Sequence, residues 1–190
     1  TSTYKYSMID ENFVVKENLF EIKVEKTASS GKTMLSSLGM DDVEFMIATN
    51  PGEELAPMSK IASGGELSRI MLAMKSAMSD KNGAQTVIFD EIDTGVSGST
   101  SQKIGIKLKS IASNTQTICV THSPQIASLA DSHFFIKKKE IDNRAQAQVT
   151  LLDEEARIAE IARIIGGINV TDKQFAAARE LINQSKGLSK

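Results

Sequence analysis

The sequence predicts an α/β fold with a mainly parallel core sheet, flanking helices and antiparallel edge strands. Residues 87–89 and 118–120 are short apolar runs rich in β-branched side chains, which is typical of strands buried on both faces. Apolar residues at helical spacing in 99–113 lie between them, and a strand–helix–strand unit places its two strands in parallel. Elsewhere, alternating apolar and polar residues predict half-buried strands.

Composition fits one folded domain and excludes several classes of protein. The 190 residues are 41% hydrophobic and 24% charged with a net charge of −2, so the whole chain is no electrostatic clamp for DNA. The single cysteine, Cys119, excludes an internal disulfide and a cysteine-based zinc site, and we expect it in the core. No apolar run approaches ~18 residues and no signal peptide is visible, so we expect a cytoplasmic protein. The chain begins at Thr1 rather than Met, and we expect a piece of a longer protein.

The N-terminal region predicts strands and contains one misleading motif. Residues 1–18 are expected to be a linker or an edge strand, and the main domain is expected to span 19–190. Residues 19–25 and 43–48 predict an antiparallel hairpin at the edge of the sheet, the second strand ending at the Asn-Pro-Gly turn. Residues 27–33 end in Gly-Lys-Thr like a phosphate-binding P-loop, but Lys26 stands where that loop needs its first glycine. We therefore expect an inter-strand loop with a solvated Lys32.

A Ser-Gly-Gly-Glu motif precedes a stretch with helical periodicity. Ser63 and Glu66 have the spacing of a capping box, which predicts the start of a helix. Capping does not explain why Gly64 and Gly65 lie inside the motif. Glycines at the start of a helix let a ligand approach the backbone closely. The free N–H groups at that end of the helix favour an anion such as phosphate. We expect a capped helix whose start is shaped for a phosphate. Its apolar stripe comprises Leu67, Ile70, Met71, Met74 and Met78.

Two acids directly follow the first of the two apolar runs. The carboxyl ends of parallel strands lie at the sheet edge where α/β folds bind ligands. Adjacent residues of an extended chain point to opposite sides, so the two acids cannot easily share one role. One of Asp90 and Glu91 can therefore reach Mg²⁺, directly or through water, while the other is free to take a proton from an attacking water. A single acid often ends a buried strand only because the chain leaves the core. The pair, followed by Gly95 and Gly98, favours a functional site.

His122 follows the second apolar run. A lone histidine is most often structural. Parallel pairing of the two strands places His122 at the same edge as Glu91, where an imidazole can donate a hydrogen bond to a terminal phosphate.

The C-terminal part predicts a hairpin and two long helices. A short helix at 124–130 precedes hairpin strands at 133–138 and 146–152. A helix at 153–165 ends at two glycines, and a capping box at 171–174 opens the last helix. The predicted inward residues of these two helices are Ile158, Ile161, Ala162, Ile165, Phe175, Leu181 and Ile182.

These motifs together resemble a known family. Ser-Gly-Gly-Glu opening a helix, Val-Ile-Phe-Asp-Glu and Thr-His resemble the C-terminal lobe of an ABC-type ATPase head, and Asp-Glu-Ile-Asp at 90–93 resembles its SMC-like branch. Residues 48–52, 60–69, 89–98 and 121–125 are similar to the RecN family, ATPases of bacterial DNA double-strand-break repair and recombination.

The resemblance implies cofactors, partners and residue roles. ATP and Mg²⁺ would bind in two sites, each shared between the two heads of a homodimer. The full-length protein would bind DNA at the nucleoid, and no membrane partner is expected. The implied residues are Ser63, Gly64, Gly65 and Glu66 at the γ-phosphate of the partner's ATP, Asp90 for Mg²⁺, Glu91 as general base, His122 as switch histidine, and Thr94 to Ser97 as the loop crossing the dimer interface.

The chain also departs from the family pattern. It has no P-loop, and Ser97 stands where SMC heads often have an acid. We therefore expect half of a head, which alone neither holds ATP tightly nor hydrolyses it. Two alternatives stay open: a self-standing interaction module on an ABC-like fold, and another ABC-class ATPase such as a transporter subunit. An upstream P-loop in the gene would favour the first hypothesis over the interaction module.

Overall fold

The structure is a computed structural model that describes residues 2–9, 15–26, 28–29, 32–33, 39, 41–48, 53–61, 63–77, 85–141 and 144–187. It divides into two units, Thr1–Leu67 and Ser68–Lys190. One helix, α1 (Gly64–Ala77), crosses the boundary between them. The separate segment expected at 1–18 stays a prediction.

The first unit is built on an antiparallel sheet. Its strands are β1 (Ser2–Ile9), β2 (Val15–Lys26), β3 (Ala28–Ser29), β4 (Lys32–Thr33), β5 (Asp41–Ile47) and β6 (Ala56–Pro57), followed by a short 3₁₀ helix at Met58–Lys60. Four of them form one sheet in the order β1-β2-β5-β6. β2 pairs with β5 so that Phe20 lies opposite Ile47, which confirms the predicted hairpin. The pair occupies the middle of this sheet rather than its edge.

The Gly-Lys-Thr segment lies between β2 and β5. β3 and β4 pair there as a small antiparallel hairpin, with Ala28 opposite Thr33, in the place where the sequence predicts a loop. The side chain of Lys32 lies outside the described residues, so its solvation stays a prediction.

The second unit combines a parallel strand pair, a hairpin and helices. Its elements after α1 are β7 (Thr86–Phe89), α2 (Gly98–Ala112), β8 (Gln116–Cys119), α3 (Pro124–Ala127), β9 (Phe134–Ile141), β10 (Arg144–Leu151), α4 (Glu154–Gly166) and α5 (Asp172–Gly187). β7 and β8 are parallel with Ile88 opposite Ile118, and β9 and β10 are antiparallel. The α/β class and both strand pairings are as predicted. Among the described residues each pair forms its own sheet.

In the part of the chain that the structure describes, one face of the parallel pair is covered. Phe89 is buried in a cluster with Leu72 of α1 and Ile104 of α2. On the opposite face, Ile88 is 68% exposed and Ile118 is 46% exposed. The prediction of burial on both faces is therefore wrong for this chain, because neighbouring residues of a strand face opposite sides and α1 and α2 pack on the side of Phe89.

Helix α1 buries a different side from its most regular apolar stripe. Leu72 is buried, whereas Leu67 and Met71 are exposed. Met78 lies outside the described residues. The packing of α1 is therefore set by Leu72 in the Phe89 cluster, and the apolar spacing alone does not identify the buried face.

The two C-terminal helices pack through small and β-branched side chains. Ile161 and Ala162 of α4 form a buried cluster with Ala178 and Ile182 of α5 and with Ala127 of α3. This confirms the predicted inward faces, although Ile165 is 37% exposed. Among the described helices, none has both the length and the apolar character needed to cross a lipid bilayer.

Local capping defines where these helices begin and end. The Asp153 side chain accepts a hydrogen bond from the Ala156 N–H at 2.8 Å, and α4 stops at Gly167, whose φ of +68° favours glycine. The Gln174 side chain accepts from the Thr171 N–H at 2.9 Å, which is one half of the predicted capping box.

Arg157 joins α4 to the end of α3. Its Nη2 donates to the carbonyl oxygens of Ala127 at 3.2 Å and Ser128 at 2.7 Å. Burial and, to a smaller extent, the positive charge of Arg157 lower the pKa of His133 from its ordinary value of 6.5, against an opposing effect of Glu160. Folding therefore favours the neutral form of His133.

Replacing His133 with Gln is expected to reduce the pH dependence of stability. Since the folded chain holds the His133 proton less tightly, the unfolded chain binds more protons below the ordinary pKa of 6.5, and the free energy of unfolding falls as pH drops through that range. Urea unfolding at about pH 7.5 and about pH 5.5 should show a larger loss for the wild type than for His133→Gln. Equal losses in both proteins would contradict this role of His133.

Candidate functional site

The ends of β7 and β8 lie side by side. The Val120 N–H donates to the Phe89 carbonyl at 2.9 Å, which extends the ladder just beyond the two strands. Asp90 and Glu91 follow β7 at this point, and His122 lies shortly after β8. The parallel pairing thus brings the acidic pair and the histidine segment to one edge of the sheet, the edge where α/β folds bind ligands.

Glu91 has an unusual backbone conformation. Its φ is +53°, and among the described residues it is the only one other than glycine with a positive φ. Its carbonyl accepts from the Thr94 N–H at 3.0 Å, which closes a tight turn. A side-chain-bearing residue in this conformation costs about 1–3 kcal/mol and persists where the surroundings enforce it, as they often do at functional sites. The side chains of Asp90 and Glu91 are both exposed.

Two side chains of α1 hold this turn in place. Ser68 Oγ donates to the Asp90 carbonyl at 2.7 Å. Arg69 Nη1 donates to the carbonyls of Ile92 at 3.2 Å and Thr94 at 2.9 Å. The sequence analysis gave Ser68 and Arg69 no role. Their only signal was their place on the helix directly after Ser-Gly-Gly-Glu, and helical spacing does not predict contacts across more than twenty residues.

Asp93 connects the turn to the histidine segment. Its Oδ2 accepts from Thr121 Oγ1 at 2.7 Å and from the His122 N–H at 3.0 Å, and lies 3.2 Å from His122 Nδ1. Thr121 Oγ1 in turn accepts from the Ser123 N–H at 3.0 Å. Asp93 appeared in the sequence analysis only as a letter of the Asp-Glu-Ile-Asp motif, so its contact with His122 was missed.

The Ser-Gly-Gly-Glu motif lies in the first unit, at the start of α1. Ser63 Oγ accepts from the Glu66 N–H at 3.4 Å, and the Ser63 carbonyl accepts from the Leu67 N–H at 3.1 Å. This is the helix-capping half of the predicted capping box. Gly64 is exposed, and Gly65 is buried.

Thr94 and Ser97 lie on the exposed loop that leads into α2. Ser97 precedes the first turn of α2, where its carbonyl accepts from the Ser101 N–H at 2.9 Å. Its hydroxyl lies 3.1 Å from Ser99 Oγ and 3.2 Å from Thr100 Oγ1. Both predicted interface residues are therefore accessible in this chain, with Thr94 anchored through its carbonyl by Arg69.

The acidic pair fits a partial magnesium site. In the part of the chain that the structure describes, no group of three or more His, Cys, Asp or Glu side chains could hold a metal ion. Mg²⁺ in nucleotide sites usually takes one or two carboxylates and completes its shell with water and phosphate oxygens. The exposed carboxylate of Asp90 at a strand end fits one such ligand, and Glu91 beside it fits a separate role.

Most of the chain is similar in sequence to proteins named DNA repair protein RecN. It is 45% identical over 169 residues to the protein from Halalkalibacterium halodurans, 46% over 151 residues to that from Bacillus subtilis, and 38% over 174 residues to that from Vibrio cholerae. These matches cover 89%, 80% and 89% of this chain but only 30%, 26% and 31% of the relatives. The chain therefore spans less than a third of their length. No protein-family model matches the sequence.

Similarity to solved structures is weaker. A chain from work on ATP-driven dimerization and DNA-stimulated activation of SMC ATPases gives a TM-score of 0.42 at 19% identity, covering 78% of this chain and 84% of that one. An Smc head domain with a coiled coil and joint derived from Pyrococcus yayanosii gives 0.48 at 20% identity, covering 75% and 25%. Similarity at this level does not bear on the function.

Cys119, the last residue of β8, lies close to the two aspartates of the turn. Burial, followed by the negative charges of Asp93 and Asp90, raises the pKa of its thiol to about 12. A thiol with this pKa stays protonated near neutral pH, and the thiolate is the reactive form. Cys119 thus behaves as a packing residue of the sheet, in line with its predicted place in the core.

Cys119 is expected to resist alkylation in the folded chain. With the pKa at about 12, the thiolate fraction at about pH 8 is about a thousandfold lower than in an unfolded chain. Iodoacetamide labelling followed by mass spectrometry should therefore be slow in buffer and fast in urea. Equal labelling rates under the two conditions would show that neither burial nor the aspartates protect the thiol.

Proposed function

Because this chain is a homologue of the DNA repair protein RecN over less than a third of that protein's length, we propose that it is the C-terminal part of an SMC-like ATPase that acts in DNA double-strand-break repair and recombination. In this proposal residues 19–190 form the C-terminal ATPase subdomain. The P-loop lobe and a coiled coil belong to the rest of the longer protein, which works at the nucleoid in the cytoplasm and engages DNA.

One observation carries the proposal. The parallel ends of β7 and β8 present Asp90 and Glu91 together with His122 at one sheet edge, and Glu91 is held in a left-handed conformation. Transfer of a phosphoryl group needs little covalent chemistry from the protein, and its catalysis rests on positioning and charge neutralisation. A rigid turn with two exposed carboxylates beside an exposed imidazole supplies both.

The geometry supports the residue roles that the family resemblance implies. Asp90 would hold Mg²⁺, and the bound ion would neutralise charge on the phosphates. Glu91 accepts the proton of the attacking water, and His122 contacts the terminal phosphate. Ser68 and Arg69 keep the Asp90–Thr94 backbone in place during these steps.

The complete site requires a second head. In the proposed homodimer, the start of α1 in one head contacts the γ-phosphate of ATP held by the other head. The contacting residues are Ser63, Gly64, Gly65 and Glu66, and the start of a helix favours an anion. The exposed loop from Thr94 to Ser97 lies at the interface between heads. Without the P-loop lobe, the chain has no predicted means to hold ATP tightly or to hydrolyse it.

The proposal is tested by comparing Glu91→Gln with the wild type in the longer protein that includes the P-loop lobe of the same gene. Glutamine keeps the size of the side chain but cannot take a proton, so ATP hydrolysis should fall by about 10²–10⁴-fold. ATP-dependent dimers, followed by sedimentation or light scattering, should form in both proteins and persist longer in the variant.

A matched control is Glu155→Gln, the same chemical change on an exposed residue of α4. The longer protein that carries Glu155→Gln should hydrolyse ATP at the wild-type rate. The 190-residue chain alone should show no ATP hydrolysis. Full activity in Glu91→Gln would remove Glu91 as the base. If the longer wild-type protein neither dimerises nor hydrolyses ATP, the interaction-module alternative replaces this proposal.

A further inference from the structure

The two oxygens of the buried Asp93 carboxylate differ in their hydrogen-bond partners. Its side chain is 1% exposed. Oδ2 accepts from Thr121 Oγ1 and the His122 N–H and lies 3.2 Å from His122 Nδ1. Oδ1 is also buried, yet it has no hydrogen-bond partner among the described residues. A buried carboxylate is costly unless it is well paired, so three contacts concentrated on one oxygen need an explanation.

The partner of this carboxylate is accessible. The His122 side chain is 80% exposed, so the contact with Asp93 fixes the inner nitrogen, Nδ1, and leaves the outer nitrogen, Nε2, toward solvent. An ionised carboxylate only accepts hydrogen bonds. A hydrogen on Nδ1 therefore makes this 3.2 Å contact attractive, whereas a lone pair on Nδ1 would face the carboxylate.

We propose that Asp93 is the positioning residue of His122, holding the ring with its hydrogen on Nδ1 so that Nε2 faces the nucleotide. This inference deepens the proposed function and rests on it for the identity of the ligand. The contact itself lies within this chain. A hydrogen bond from the His122 N–H to the same oxygen holds the backbone beside the ring contact, so the imidazole can swing away only by losing its 3.2 Å contact with Asp93.

The assignment changes what His122 can do chemically. A neutral imidazole has one N–H, and here it is used on Asp93, so Nε2 carries a lone pair and accepts hydrogen bonds. His122 can donate from Nε2 to a phosphate oxygen only as the imidazolium, which has two N–H groups. The Asp93 contact therefore determines which nitrogen of His122, and which hydrogen-bonding role, is presented to the ligand.

The direct test is the tautomer of His122 in the chain itself. The sequence contains two histidines, so His133→Gln assigns the remaining imidazole signals to His122. Long-range ¹H–¹⁵N NMR spectra at about pH 8, above the ordinary pKa of histidine, distinguish the two neutral tautomers. We expect His122 to be mostly the Nδ1–H form, the minor form of free histidine. A His122 that is mostly Nε2–H overturns the proposal, and this measurement needs no variant of Asp93.

Variants then test whether Asp93 is the cause. Asp93→Ala removes the acceptor, and the His122 population should shift to mostly Nε2–H. Asp93→Asn can place its amide oxygen at the Oδ2 position and its NH₂ at the unpaired Oδ1 position, so it should retain the Nδ1–H form. The control Thr121→Val removes a hydrogen bond to Asp93 without touching the ring contact, and should leave the tautomer unchanged. An unchanged tautomer in a folded Asp93→Ala chain overturns the role of Asp93.

The functional consequence is measured in the longer ATPase. Asp93→Ala should lower kcat for ATP hydrolysis with little change in KM, and Asp93→Asn should recover part of the loss, because Asp93 acts on the ring and not on nucleotide binding. The two failures are distinguishable. If the longer wild-type protein neither dimerises nor hydrolyses ATP, the proposed function fails whatever the tautomer of His122. If that protein hydrolyses ATP while His122 is mostly Nε2–H, only the role of Asp93 fails.

Discussion

The hydrogen bonds from α1 to the backbone after β7 are the constraint on which the candidate site depends. Ser68 and Arg69 satisfy the carbonyls of Asp90, Ile92 and Thr94, which have left the strand ladder. The hydrogen bond to the Ile92 carbonyl is partly buried, so loss of that bond would destabilise this turn. With these carbonyls paired, Ile92 can insert fully into the core while Asp90 and Glu91 on the same short segment remain exposed. The chemistry of the acids therefore rests on a helix that does not carry them.

Features that depend on local sequence could be predicted. The apolar runs at β7 and β8, with a helical segment between them, led to the parallel pair and hence to the shared edge of Asp90 and His122. Apolar residues at helical spacing, followed by two glycines, located α4. The capping box at 171–174 located α5, because its hydrogen bonds join residues three apart. The same patterns did not say which side of a strand would be covered. Ile88 looks like a core residue in sequence, and its exposure depends on what packs against the sheet.

Contacts between distant segments could not be predicted in the same way. Asp93 meets His122 across 29 residues, and Arg69 meets Thr94 across 25. Neither pair has a spacing rule, since their proximity follows only once the two strands and α1 are assembled. The positive φ of Glu91 was likewise missed, because sequence patterns assign that conformation to glycine or asparagine and not to glutamate. These missed features all lie in the turn that carries the proposed chemistry, where local preference and function disagree.

The left-handed backbone at Glu91 has a practical consequence for redesigning this protein. Glycine adopts a φ near +53° without steric cost, so at this position the amino acid best suited to the backbone lacks the carboxylate proposed for catalysis. Thermostabilisation guided by backbone geometry would replace Glu91 early, and the product would fold better while losing the proposed base. Glu91 should therefore be kept in any redesign of this protein for higher stability. The stability lost through its left-handed conformation should be recovered by substitutions at surface positions away from the turn.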